Sequence, residues 1–172
     1  GELVQKLRLD LMPTDIDWHQ GTIWVTSIGS PFPSDEPQGQ LMAVAKEGDK
    51  YLHVGRRVLR NLLRPVASTL ADLDGDGKEE IVVSEFGNRL GHLSYFKAGT
   101  DGQYTEHKLN EYPGAISHYV RDFNGDGLLD IIVMMGQARE GVFIYYNLGD
   151  GSFVESYVVQ WPPSYGAAHL SL

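Results

Sequence analysis

The strongest constraint on the fold is a nine-residue stretch that occurs twice. Asp122-Phe123-Asn124-Gly125-Asp126-Gly127-Leu128-Leu129-Asp130 runs into the apolar segment Ile131-Ile132-Val133-Met134-Met135. Fifty residues earlier, Asp72-Leu73-Asp74-Gly75-Asp76-Gly77-Lys78-Glu79-Glu80 runs into Ile81-Val82-Val83. Oxygen-bearing side chains fall at positions 1, 3, 5 and 9 of each stretch, and glycines at 4 and 6, where a sharp turn favours positive φ. A hard cation such as Ca²⁺ takes several oxygens at about 2.3–2.6 Å from a loop that curls round it. Alternate positions on such a loop point inward, and the residue at position 7 adds a backbone carbonyl. The expected ligands are Asp72, Asp74, Asp76, Lys78 and Glu80 at one site and Asp122, Asn124, Asp126, Leu128 and Asp130 at the other.

A metal loop repeated together with the strand that follows it points to a repeat architecture. Apolar segments are short, rich in Val, Ile, Tyr and Phe, and interrupted by Gly, Asp, Asn or Pro, which reads as all-β. Each repeat offers four strands. In the third unit they are 118–122, 131–135, 142–146 and 153–159, with Asn147-Leu148-Gly149-Asp150-Gly151-Ser152 turning the last pair. In the second unit they are 68–72, 81–85, 92–96 and 104–109. The first unit is degenerate, with strands at 13–17, 23–27, 40–45 and 51–58. Its loop, Asp15-Ile16-Asp17-Trp18-His19-Gln20-Gly21-Thr22, lacks the acidic residues of positions 5 and 9, and no ion is expected there. A Pro-rich insertion, residues 30–39, replaces its second turn. Long loops on a repeat scaffold often carry binding function, although a solvated ornament fits equally well.

Four short antiparallel strands per unit of about 50 residues is the pattern of a propeller blade. The expected fold is all-β: a β-propeller fragment of about three four-stranded blades, open at both ends. The expected division is 13–64, 65–114 and 115–165 for the blades, with 1–12 the outer strand of a preceding blade and 166–172 the start of the next. Further blades of a longer parent chain are expected to cover the two end faces, which would otherwise expose apolar surface.

The two stretches at 72–81 and 122–131 resemble the FG-GAP/VCBS repeat family, the calcium-binding β-propeller repeat of integrin α-subunit heads and many bacterial secreted proteins. The resemblance implies Ca²⁺ between the first and second strands of a blade, two ions in this chain, and a secreted, periplasmic or cell-surface setting. It implies a structural and binding module for a protein or carbohydrate ligand rather than an enzyme, since the fold hosts many functions. An alternative implied by similar Asp-rich loops is part of a calcium-dependent polysaccharide lyase propeller, like that of rhamnogalacturonan lyases. Glu80 departs from the Asp usual at position 9, and its longer side chain can still reach. An EF-hand shares the Asp-x-Asp-x-Asp-Gly start but needs an acidic residue at position 12 on a leaving helix; here that position is Val83 or Val133, inside a β run.

The net charge of −9 argues against a nucleic-acid partner, which wants a basic face. Seven acidic side chains stand at the expected ligand positions of the two loops. Arg56, Arg57, Arg60 and Arg64 form the one basic cluster and are expected on a solvated strand and loop face. With no cysteine, disulfides and Cys-ligated zinc are excluded. No apolar run approaches the roughly 20 residues that span a bilayer, and the first residues do not read as a signal peptide. Neither His-Glu-x-x-His, a Gly-x-Ser-x-Gly elbow nor a phosphate loop is present. His118 and His169 fall at the same repeat position, with Ser68 as the counterpart in the second unit. Together with Arg121 they are the candidates for facing a ligand; the alternative is a histidine satisfied by hydrogen bonds at a strand end. The aromatics Trp18, Trp24, Tyr119, Tyr145, Tyr146, Tyr157, Trp161 and Tyr165 are expected mainly between blades, sugar-binding faces being the other use.

Overall fold

The computed structural model describes residues 5, 12–48, 50, 51, 56–137, 139–162, 170 and 171. Fourteen strands and no helix occur among them: β1 (Pro13–His19), β2 (Thr22–Ser27), β3 (Gly39–Val44), β4 (Lys46–Glu47), β5 (Lys50–Tyr51), β6 (Arg56–Leu62), β7 (Pro65–Ala71), β8 (Glu80–Glu85), β9 (His92–Ala98), β10 (Tyr104–Lys108), β11 (Ala115–Arg121), β12 (Asp130–Met135), β13 (Glu140–Asn147) and β14 (Phe153–Trp161).

They form three four-stranded antiparallel meanders, β1-β2-β3-β6, β7-β8-β9-β10 and β11-β12-β13-β14, plus the small hairpin β4-β5. None closes into a barrel, and the arrangement is that of a β-propeller fragment. The first strands lie side by side, β1 against β7 and β7 against β11. Each first strand carries a register shift near its start, between Pro13 and Asp15, Pro65 and Ala67, and Ala115 and Ser117. The repeated bulge is the reason β7 and β11 begin three residues earlier than the expected 68 and 118, whereas β1 starts at Pro13 as expected: an extra residue hides the alternation.

The second strands β8 and β12 are buried on both faces, so they read as nearly continuous apolar runs rather than as alternating ones. Side chains still alternate in direction. Ile81 and Val83 pack with Leu41, Leu59 and Leu62 of the first sheet. Val82 points the other way, into a cluster with Ile131, Val133, Met135, Phe143 and Tyr145 of the third. Each interface is thus a sheet-on-sheet core. The fourth strands β10 and β14 are mostly exposed.

Hydroxyl and imidazole groups link the blades at one repeated position. Thr26 Oγ1 of β2 lies 2.8 Å from Ser68 Oγ of β7, and Ser84 Oγ of β8 lies 2.8 Å from His118 Nδ1 of β11. Thr26 and Ser84 occupy equivalent positions in register, as do Ser68 and His118.

Several expectations for the first blade are corrected. The strand expected at 51–58 is instead β6, with Leu59 and Leu62 buried in the core and Lys50–Tyr51 diverted into the small hairpin; residues 52–55 lie outside the described residues. Its loop is a two-residue hairpin in which Gln20 and Gly21 both have positive φ (45° and 80°), the primed geometry that suits the twist of the strands. Arg64 is not solvated: it is buried, donates from Nη1 to Gly87 O at 2.6 Å and sits over the Phe86 ring. The aromatics divide. Tyr145 is buried in the core, whereas Trp18, Tyr119 and Tyr157 are exposed, and Tyr165 lies outside the described residues. The insertion is latched onto the second blade, since Asp35 Oδ1 accepts from Arg89 N and Leu90 N at 2.7 and 2.9 Å. Those two N–H groups hold the Asp35 carboxyl below its usual range. The outer strand expected within 1–12 and the start of a further unit within 166–172 fall largely outside the described residues.

Candidate metal centre

The two carboxylate loops are built on one hydrogen-bond scaffold. At position 1, Asp72 Oδ2 and Asp122 Oδ2 accept from Gly77 N and Gly127 N, each at 2.9 Å. At position 3, Asp74 Oδ1 and Asn124 Oδ1 accept from Asp76 N (3.3 Å) and Asp126 N (2.9 Å). At position 5, Asp76 Oδ1 and Asp126 Oδ1 accept from Lys78 N and Leu128 N, each at 2.8 Å. At position 9, Glu80 Oε2 and Asp130 Oδ2 accept from Leu73 N (2.9 Å) and Phe123 N (3.0 Å). The glycines make this curl possible: Gly75, Gly77, Gly125 and Gly127 have φ of 72°, 82°, 80° and 88°, in open space, so conformation rather than crowding demands them.

Backbone N–H groups keep the exposed carboxylates charged. The Gly127 N–H leads in holding Asp122 below its usual range, and the Lys78 N–H does so for Asp76. Position 9 differs, because Glu80 and Asp130 are buried. Burial pushes Glu80 up, against the opposing bond from Leu73 N.

The oxygen-only donor set fits a hard cation. In the first loop, ligand atoms of Asp72, Asp74 and Glu80 lie within 4.8 Å of one another, and Asp72 Oδ1 is buried without a hydrogen-bond partner. A buried, unpaired carboxylate oxygen is costly unless something positive meets it. The extra methylene of Glu80 is what lets position 9 join this cluster. In the second loop Asp130 gives both oxygens to the backbone, Oδ2 to Phe123 N and Oδ1 to Asn147 N at 2.9 Å. Its three carboxylates are not gathered to the same degree.

A residue absent from the sequence reading sits among the first set. Lys97 Nζ donates to Asp74 Oδ2 and lies 3.3 Å from Asp76 Oδ2 and 3.5 Å from Glu80 Oε1. The bond to Asp74 leads in raising its pKa. Ile81 pairs with Phe96 and Ile131 with Tyr145. One step along each ladder, Lys97 stands opposite Glu80 and Tyr146 opposite Asp130. Only that register reveals the lysine, and nothing in the loop spacing signals it. The loop borders a cleft of about 490 Å³ between second and third blades, also lined by Tyr95, Asn147 and Asp150.

The remaining candidates are not brought together. His118 is 6% exposed, held by Ser84 at the blade interface, with Nε2 buried and unpartnered. Burial lowers its pKa to about 4, so the ring is neutral. Arg121 is exposed at the end of β11. His169 lies outside the described residues. A second cluster, also absent from the sequence reading, joins Glu85, His92 and Glu106 at the far end of β8.

Consecutive four-stranded meanders, joined through their first and second strands and sharing one loop design, define a β-propeller repeat protein. The particular family follows from comparison of the sequence with family models: that of the FG-GAP-like repeat matches residues 72–133 and again 122–172, more than half of the chain, and the chain belongs to this family. Neither a curated protein nor a solved structure matches it. No helix among the described residues is long and apolar enough to cross a membrane.

Proposed function

We propose that the chain is a calcium-stabilised β-propeller repeat module of a secreted, periplasmic or surface protein, used to bind a protein or a carbohydrate. In this reading the blades are 13–64, 65–114 and 115–165, and further blades complete the ring. Asp72, Asp74, Asp76 and Glu80, with the Lys78 carbonyl, hold one ion; Asp122, Asn124, Asp126 and Asp130, with the Leu128 carbonyl, hold the other. The observation that carries it is the shared scaffold of the two loops, in which side-chain oxygens of positions 1, 3 and 5 each accept a backbone N–H of the same loop. The ion supplies positive charge beyond the single Lys97 ammonium that meets the first loop's carboxylates. The protein's part is to pre-arrange those oxygens, so that little ordering remains to be done on binding.

The test is calcium content and melting temperature with and without chelator. Two bound ions and a lower melting temperature on chelation are expected, and Asp126→Ala should remove one ion. Unchanged metal content and melting in chelator would refute the calcium role.

A further inference from the structure

At the end of β8 remote from the carboxylate loops, Glu85 pairs in register with His92, the first residue of β9. Both are almost fully buried, at 1% and 5% exposure. His92 Nε2 lies 2.6 Å from Glu106 Oε1 of β10 and 3.1 Å from Glu85 Oε1. An imidazole nitrogen carries one hydrogen. It goes to Glu106, with which it makes the hydrogen bond. Glu85 Oε1 is consequently buried without a hydrogen-bond partner, while Oε2 of the same carboxylate accepts from Leu63 N. Three ligand atoms, one nitrogen and two oxygens, thus converge within 4.8 Å of one another. One of them, Glu85 Oε1, is a buried carboxylate oxygen that is ion-paired with the imidazole but receives no hydrogen bond.

The cluster opens on a cleft of about 460 Å³ between the first and second blades, bordered by Asp35 of the latched insertion and by Arg60 and Lys108. Even with the imidazole protonated, two carboxylates leave the cluster one negative charge in excess. Glu106 is about one-third exposed and Arg60 and Lys108 border the cleft, so the cost of that charge falls mainly on the buried Glu85. A divalent ion in place of the shared proton balances it. Ligand atoms of a tetrahedral zinc site stand about 3.3 Å apart, given bonds of about 2.0–2.1 Å. The observed spacings of 3.1 and 2.6 Å open by about 0.2 and about 0.7 Å to reach that value, the larger share at the one-third-exposed Glu106 side chain. Imidazole nitrogen is foreign to calcium sites and usual at zinc sites, which sets this cluster apart from the loops.

We propose that Glu85, His92 and Glu106 form a binding site for a borderline divalent metal ion of the Zn²⁺ type, with a fourth coordination position open to the cleft between the first two blades. It is independent of the calcium loops, and its metal differs from theirs in chemical class.

The experiment is calorimetric titration of Zn²⁺ alone into the untagged 172-residue chain, with calcium in excess so that the loops are saturated. One equivalent of zinc should bind, and Co²⁺ in its place should give visible ligand-field absorption. Glu106→Gln, at a side chain about one-third exposed on an outer strand, keeps the fold and should weaken zinc binding at least tenfold and abolish the cobalt signal. His19→Gln, which removes the half-buried pair of His19 with Glu79, should change neither. Absence of zinc uptake by the wild-type chain overturns the proposal whatever the variants do, leaving a buried ion-paired cluster. Equal uptake by wild type and Glu106→Gln overturns it as well.

Discussion

Asn147 joins its side-chain amide to Leu73 O at 2.6 Å, seventy-four residues away in the first carboxylate loop. The same Nδ2 donates to Leu129 O of the second loop at 3.1 Å, and its Oδ1 accepts from Gly149 N at 2.9 Å. A single buried amide therefore ties two carboxylate loops and a hairpin across a blade interface. Its backbone N–H also binds Asp130 Oδ1, which places position 9 of the second loop.

Asn147→Ala leaves two carbonyls and one N–H without partners. Each buried polar group left unsatisfied costs about 1–3 kcal/mol. A loss of about 2–4 kcal/mol in urea unfolding is expected, with the half-buried Leu129 carbonyl partly rescued by water. A loss below about 0.5 kcal/mol would show that the tether is not formed.

If calcium fills the first loop as proposed, Lys97 should compete with it. Two cations sharing one set of carboxylates repel, and at roughly 4 Å a monovalent and a divalent charge cost each other about 2 kcal/mol even in the dielectric of water. Lys97→Met should therefore tighten calcium at the first loop about tenfold or more by calorimetry, while the calcium-free protein melts lower because its ammonium no longer neutralises Asp74 and Glu80. Unchanged affinity would mean that the lysine swings clear at no cost.

His118 makes stability fall in mild acid. Burial holds its folded pKa at about 4, below the ordinary 6.5, so the unfolded chain takes up the proton first. The contribution is fully present above pH 6.5 and is lost progressively as pH falls to about 4, amounting to about 3 kcal/mol at most. His118→Ser, matching Ser68 of the second blade, should flatten this part of the stability curve relative to wild type in denaturant titrations at pH 4 to 7. Parallel curves would contradict it.

The blade pattern was legible in the chain because its signals are local. Glycines at positions 4 and 6, acidic residues between them and an apolar run afterwards depend on near neighbours alone, and the third and fourth strands of the second and third blades lie where the pattern predicts, within two or three residues. Strand starts at Pro65 and Ala115 were hidden by bulges, and Arg64 was misplaced because its burial depends on Gly87 and Phe86 of the next blade. Of the candidate site, the loop residues were visible from spacing. Lys97 was not, since the residue opposite Glu80 is defined by the pairing of two strands. Glu85, His92 and Glu106 were invisible for the same reason, spread over three strands whose spacing in sequence carries no metal signature.

The sequence by itself determined the repeat, the all-β class and the curl of both loops, because turn chemistry and side-chain alternation act over a few residues. Tertiary structure decided which charges face one another. The ammonium among the first loop's carboxylates, the shared proton at His92 and the Asn147 tether all depend on register and on the packing of one blade against the next. Those contacts join residues that are distant in the chain, where burial strengthens each charge interaction and leaves an unpaired oxygen without water to satisfy it.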